Sequence, residues 1–242
     1  MSQAAKKIRI LQLYPREMNI YGDTGNALVL VRRLERYGYE PVLESYNVGN
    51  KFPADVDIII GGGGQDSGQK VIQKDLQKIA PKLRKLAENG TPMLMICGLY
   101  QLFGHFFETH EGKRIPGISV LDVETYGKDE RLIGNIVTES DEFGEIIGYE
   151  NHSGQTFLGK NAKPLATVRL GAGNNLEDAH EGARFKNVIG SYLHGSLLPK
   201  NPKIADFLIR EAANKRYGEF AAMPIDDRLT ERARQQAIGR PR

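Results

Sequence analysis

Short apolar runs that alternate with segments of helical spacing constrain this chain more than any other feature. Residues 56–60 (VDIII) and 92–96 (PMLMI) are the kind of run that is buried on both faces of a parallel sheet. Residues 8–14 (IRILQLY) read as a first strand and 41–46 as another. Between these runs the period changes to that of a helix. Over 24–37, Ala27, Leu28, Leu30, Val31 and Leu34 give an apolar face, and Gly38 closes the segment. Over 69–89, Val71, Ile72, Leu76, Ile79, Leu83 and Leu86 line one side with lysines opposite, and Asn89-Gly90 stops it. A further helix follows Cys97-Gly98 and carries Tyr100, Leu102, Phe103 and Phe106. The order strand, helix, strand, strand, helix, strand, helix predicts an α/β fold of the Rossmann-like, flavodoxin-like kind, with a mostly parallel sheet flanked by helices.

Beyond Gly112 the pattern becomes one of short β-prone pieces, 132–137, 146–149 and 166–170, divided by Gly, Asn and Asp. These read as extra strands that extend the same sheet. Residues 188–193 (VIGSYL) form one more strand, with His194-Gly195 just past its end, and 201–216 are helical. A single domain is expected over 6–212, followed by a charged tail, 213–242, with a surface helix near 227–236.

Composition narrows the function classes. At 242 residues with 40% hydrophobic residues, the chain can bury a large core. Its 33 basic and 30 acidic residues are interleaved, so no basic stripe suited to nucleic acid stands out. The polar N-terminal residues 1–9 do not resemble a signal peptide, and no segment approaches a membrane span, which predicts a cytoplasmic protein. The single cysteine fits a reducing compartment and makes Cys97 the only thiol nucleophile available.

Ligands of open parallel sheets gather at the carboxyl ends of the strands. Three features fall there: the loop Gly61 to Gly64, Cys97 and His194. A lone cysteine is more often a core residue than a nucleophile. Position between a buried strand and Gly98 shifts that balance, because the sulfur then meets the unpaired N–H groups at a helix start, and glycine allows a substrate close approach. A histidine at a strand end is likewise more often structural. Thiol and imidazole at the ends of two strands of one sheet, however, form the arrangement needed for a Cys/His pair in which the base activates sulfur and then protonates a departing amine. The glycine run could also be a phosphate cradle, but no lysine follows at the required place, so a supply of N–H groups for an oxyanion hole, from Gly63 with Gly98, is the preferred reading. His105, His110, His152 and His180 share no spacing that suggests a metal site.

The motifs ICGLYQLFG (96–104) and SYLHG (191–195) resemble the nucleophile elbow and histidine motif of class I glutamine amidotransferases of the cobyric-acid-synthase-like branch. LYPREMNIYGDTGN (13–26), GGGGQD (61–66), RLIGNIV (131–137), YENHSGQT (149–156) and NVIGSYLHGSLLPKNP (187–202) are similar to the glutaminase subunits of lipid II isoglutaminyl synthases. The resemblance spans about residues 8–210. It implies hydrolysis of L-glutamine to glutamate and ammonia, with Cys97 as nucleophile, His194 as its catalytic partner and Arg131 as the residue that holds the substrate. It implies a heterodimer with a Mur-ligase-like, MurT-type partner that binds ATP and Mg and amidates the D-glutamate of lipid II, with no cofactor on this chain. A glutaminase serving another acceptor, such as a cobyrinate, and a non-catalytic subunit on the same fold are the rival expectations. One departure stands out. Many class I members carry H-x-E, whereas the second residue after His194 is Ser196. The acid that orients the imidazole is therefore expected from Asp178 or Glu181 folding back, or from the partner chain.

Overall fold

The computed structural model describes residues 6–221 and 223–240. Its first sheet is built from β1 (Lys7–Leu13), β2 (Glu40–Tyr46), β3 (Ile58–Gly61), β4 (Met93–Ile96), β11 (Ala183–Phe185) and β12 (Val188–Ser191), in the order β11-β12-β4-β3-β1-β2. All pairings are parallel except that of β11 with β12. β3, β4 and β12 are buried at every position, which is why each reads as a continuous apolar run rather than an alternation. Helix α1 (Thr24–Arg36) connects β1 to β2, α2 (Asp66–Glu88) connects β3 to β4, and α3 (Gly98–Phe103) follows β4. After β12 come α4 (Leu197–Lys200), α5 (Pro202–Tyr217) and α6 (Arg228–Ile238). Among the described residues no helix is long and apolar enough to cross a membrane.

The chain leaves β1 toward β2 on one side and returns to β3 on the other, so the strand order reverses beside β1. At such a switch point the loops after the two strands diverge and leave a crevice. Here the loops are 14–23 and 62–65.

The pieces between Gly112 and Leu170 do not extend this sheet. They build a second one, from β5 (Phe106–Glu108), β6 (Arg114–Pro116), β7 (Val123–Ser140), β8 (Gly144–Leu158), β9 (Ala166–Leu170) and β10 (His180–Glu181), in the order β10-β9-β7-β5-β6, with β8 paired to β7. The physical reason is the long antiparallel hairpin of β7 and β8. From Leu132 onward β7 buries alternate residues, so one of its faces needs a core and the other does not. Such strands pair with one another rather than entering a sheet covered on both faces. The pairing of β7 with β8 shifts register between Gly127 and Leu132, where residues 128–131 of β7 stand against Ser153 alone. A short bridge between Tyr149 and His194 ties the second sheet to the first.

The C-terminal segment is fastened by a buried arginine. Arg33 of α1, 8% exposed at its side chain, forms bidentate contacts with Asp206 of α5 and Asp227, the residue before α6, at 2.7 to 2.9 Å. Arg234 of α6 donates to Glu145 and to the carbonyl of Lys200. Replacement of Arg33 by Met removes a partly buried guanidinium and leaves two carboxylates facing each other. Because both carboxylates are about 30% exposed, the expected loss is about 2 kcal/mol, below the range for a fully buried pair. A lower urea midpoint with early amide exchange in α6 is the expected outcome, and an unchanged midpoint would contradict it.

Candidate active site

Cys97 stands between β4 and α3 with φ 49° and ψ −106°, a conformation that is costly for any residue with a side chain. It is held there from both directions. Its N–H donates to the carbonyl of Ser191 at 2.8 Å, and its own carbonyl accepts from the N–H of Gln101 at 2.9 Å. Gln69 of α2 donates to the carbonyl of Gly98 and to the Gln101 side chain, and Gln101 donates in turn to the Tyr192 hydroxyl. The elbow thus rests on a buried hydrogen-bonded chain.

His194 arrives from the neighbouring strand. Ser191 pairs with Ile96, so the residues that follow β12 and β4 emerge side by side at the same sheet end. Gly63 lies between them. A Cβ placed on Gly63 would stand 2.7 Å from Cε1 of His194 and 3.1 Å from Cβ of Cys97, so only glycine fits.

The imidazole has a carboxylate beside it in the same chain. Oδ2 of Asp23 is 3.8 Å from Nδ1 of His194, and both side chains are almost fully buried. Asp23 precedes α1 and is fixed by the N–H of Gly63, which donates to Oδ2 at 2.7 Å. Burial disfavours a charged imidazole, but the Cys97 sulfur and the Asp23 carboxylate outweigh it and push His194 up to about 10. At neutral pH the ring is imidazolium.

This geometry corrects two expectations. Neither Asp178 nor Glu181 folds back onto His194. Asp178 accepts from Asn175 and the N–H of His180, and the Glu181 carboxyl accepts from Ser191 and the N–H of Tyr192. Burial pushes Glu181 up to about 8, against the pull of those two donors, so it is largely protonated at neutral pH. The second correction concerns Gly63. Its N–H is committed to Asp23 and is not free for an oxyanion. The N–H of Gly64 is better placed, 3.2 Å from the Cβ position of Gly98. Among the described residues neither it nor the N–H of Gly98, which opens α3, has an acceptor.

A cavity of about 420 Å³ opens beside Cys97 and is lined by Tyr21, Gly64, Gln101, Arg131, Asn151 and His152, among others. Arg131 reaches it from the interrupted stretch of β7. Its Nε donates to Asn151 at 2.6 Å and its Nη2 to the Tyr21 hydroxyl at 2.9 Å. The structure therefore brings Cys97, Arg131, Tyr21 and Gly64 to one cavity, with His194 buried behind it against the Tyr21 ring and Asp23 beside the imidazole.

A model of the CobB/CobQ-like glutamine amidotransferase domain matches residues 9–202. The chain belongs to that family. Among its relatives is the Staphylococcus aureus (strain N315) lipid II isoglutaminyl synthase (glutamine-hydrolyzing) subunit GatD, 39% identical over 225 residues, which cover 93% of this chain and 92% of that protein. The GatD subunit of Streptococcus pneumoniae (strain ATCC BAA-255 / R6) is 38% identical over 221 residues, 90% of this chain and 85% of the relative. A crystal structure of a glutamine amidotransferase superposes with a TM-score of 0.59 at 17% identity, covering 84% of this chain and 98% of that one, which supports the shared fold.

In this amidotransferase the histidine that lines the cavity differs sharply from His194. His152 is stacked on Tyr192 at 3.6 Å with the rings 8° apart, and its Nδ1 faces the carbonyl of Gly154 at 2.7 Å. Burial, reinforced by the charges of His194 and Arg131, pushes it down to about 3, so it stays neutral.

Asp23 and Tyr21 escaped the sequence reading although both lie in the quoted stretch 13–26. Asp23 follows the first strand, far from His194 in sequence, so spacing around the histidine carries no sign of it. Since the Asp23 charge raises His194, Asp23→Asn should move the alkaline limb of kcat/KM to lower pH. It should also lower kcat by between about 10-fold and 10⁴-fold, the larger figure being that of a triad with a short hydrogen bond. A pH–rate profile identical to that of the unsubstituted protein would remove Asp23 from this role.

Proposed function

We propose that this chain is the glutaminase subunit of a two-subunit synthase that amidates the D-glutamate of lipid II to D-isoglutamine in peptidoglycan synthesis. The observation that carries this reading is Cys97 and Arg131 lining one cavity, with His194 close beside Cys97 across Gly63. The match to two GatD subunits over nine-tenths of this chain supports it, and favours this acceptor over a cobyrinate. A non-catalytic subunit would have no need of a strained cysteine beside a charged histidine.

The steps follow from the geometry. Glutamine enters the cavity with its carboxylate on Arg131, whose planar fork suits it. The Cys97 sulfur attacks the side-chain carbonyl carbon, and the N–H groups of Gly64 and Gly98 bind the oxyanion. His194, with Nδ1 toward Asp23, donates the proton from Nε2 to the leaving nitrogen as the carbon–nitrogen bond breaks, which gives ammonia and a thioester. Water then attacks the thioester. His194 takes the proton from that water, and glutamate leaves as the sulfur is released.

Ammonia passes to a Mur-ligase-like, MurT-type partner, which binds ATP and Mg and activates the acceptor carboxylate. This chain itself needs no cofactor, and the complex works in the cytoplasm. With Asp23 supplying the carboxylate in cis, orientation of His194 does not depend on the partner.

Cys97→Ala should abolish glutamine hydrolysis with the fold retained, while its complex with the ligase subunit still amidates the acceptor from ammonium chloride. Substantial glutamate release by that variant would sink the nucleophile assignment, and failure of ammonia to replace glutamine would sink the division of labour. Arg131→Ala should raise KM for glutamine more than it lowers kcat, because a carboxylate clamp acts equally in ground and transition states. A fall in kcat at constant KM would show a chemical role instead.

A further inference from the structure

We propose that Tyr21 is a substrate-binding residue whose hydroxyl shares with Arg131 the seat for the α-carboxylate of glutamine, while its ring braces the imidazole of His194. The inference rests on the glutaminase reading and extends it to a residue outside the Cys/His pair.

The placement of Tyr21 is unusual in touching both ends of the site. Its ring lies 4.3 Å from that of His194, tilted by 55°. Its hydroxyl accepts from Nη2 of Arg131, a residue of the other sheet. The loop leaves the tyrosine little freedom. On one side the N–H of Ile20 donates to the carbonyl of Gly63, and on the other the Ser196 hydroxyl donates to the carbonyl of Gly22. Asp23 is held by Gly63, and the N–H of Thr24 is held by the Asn19 side chain. Residues 20, 22 and 23 are therefore pinned to the glycine loop and to the segment after His194, with Tyr21 between them.

The hydrogen-bond inventory suits a carboxylate. A guanidinium has five N–H groups. Arg131 spends one at Nε on Asn151 and one at Nη2 on Tyr21, which fixes its plane and leaves the remaining Nη groups for a ligand. A phenol that accepts from arginine still has its own O–H to donate. Glutamine can thus receive a paired contact from Arg131 and a third hydrogen bond from Tyr21. Because the same ring braces His194, occupancy of the carboxylate seat and alignment of the base are linked through one side chain.

Two substitutions in the full chain separate hydroxyl from ring. Tyr21→Phe should raise KM for glutamine about tenfold, the usual cost of one hydrogen bond to a charged group, with kcat held within about twofold. Tyr21→Leu should show the same rise in KM and a lower kcat. Labelling of Cys97 provides a readout that a purely structural role would not move. In Tyr21→Phe, a diazo ketone analogue of glutamine that carries the α-carboxylate should react about tenfold more slowly, whereas iodoacetamide should react at the unsubstituted rate. If both reagents slow equally, or neither slows, the carboxylate seat is wrong. A KM unchanged in Tyr21→Phe would also overturn it. If the unsubstituted chain is neither labelled by the analogue nor able to hydrolyse glutamine, the glutaminase reading fails first and this inference with it. A chain that is labelled and active, but indifferent to Tyr21→Phe, removes Tyr21 alone.

Discussion

The backbone of Cys97 is the constraint around which the rest of the site is arranged. A side-chain-bearing residue at φ 49° and ψ −106° costs on the order of 1–3 kcal/mol, and the fold must hold it against relaxation. It does so with a strand buried at every position before the residue, a helix after it, and a backbone bond to the adjoining strand. The same junction places Cys97 at the start of α3. Gly63 then becomes obligatory, because the space a side chain would need is taken by Cys97 and His194. Its amide, turned toward the first loop, recruits Asp23.

The first sheet was legible because its central strands are buried on both faces and its helices carry one apolar side. The second was not. An isolated piece such as 166–170 has no mark of which sheet it joins, and β7 hides its length behind the register break between Gly127 and Leu132, so that only 132–137 reads as a strand. Cys97 and His194 were legible for a physical reason, since each ends a run that must be a buried strand. Arg131 was reached only through resemblance, because its usefulness comes from the bulge that carries it to the cavity. Asp23 could not be found from spacing around His194, as its approach depends on β1 lying beside β3. Within four consecutive glycines nothing in the sequence separates Gly63 from Gly64. Their roles diverge only when one amide is spent on Asp23.

The two sheets divide the task. On the proposed reading, the first carries the reacting groups Cys97 and His194 at the ends of short buried strands. The second carries Arg131, the proposed substrate clamp, on a long hairpin, where a bulge can present a charged side chain without disturbing a core. Two of their meeting points lie at the site, the bridge of Tyr149 to His194 and the bond of Arg131 to Tyr21. Both converge on the histidine, by backbone in one case and by ring contact in the other.

Charge explains why that convergence matters. His194 is buried, and an imidazolium there is tolerable only while Cys97 and Asp23 stay close to it. Arg131 brings a second positive charge to the cavity, which would oppose protonation of any neighbouring histidine, and His152 indeed remains neutral. In the proposed pose the carboxylate of glutamine offsets the Arg131 charge. The same offset would relieve the field that helps to hold His152 neutral, whereas His194 takes its charge from Cys97 and Asp23. On the proposed reading, recognition of the carboxylate reaches His194 by contact, through the Tyr21 side chain that lies between Arg131 and the imidazole.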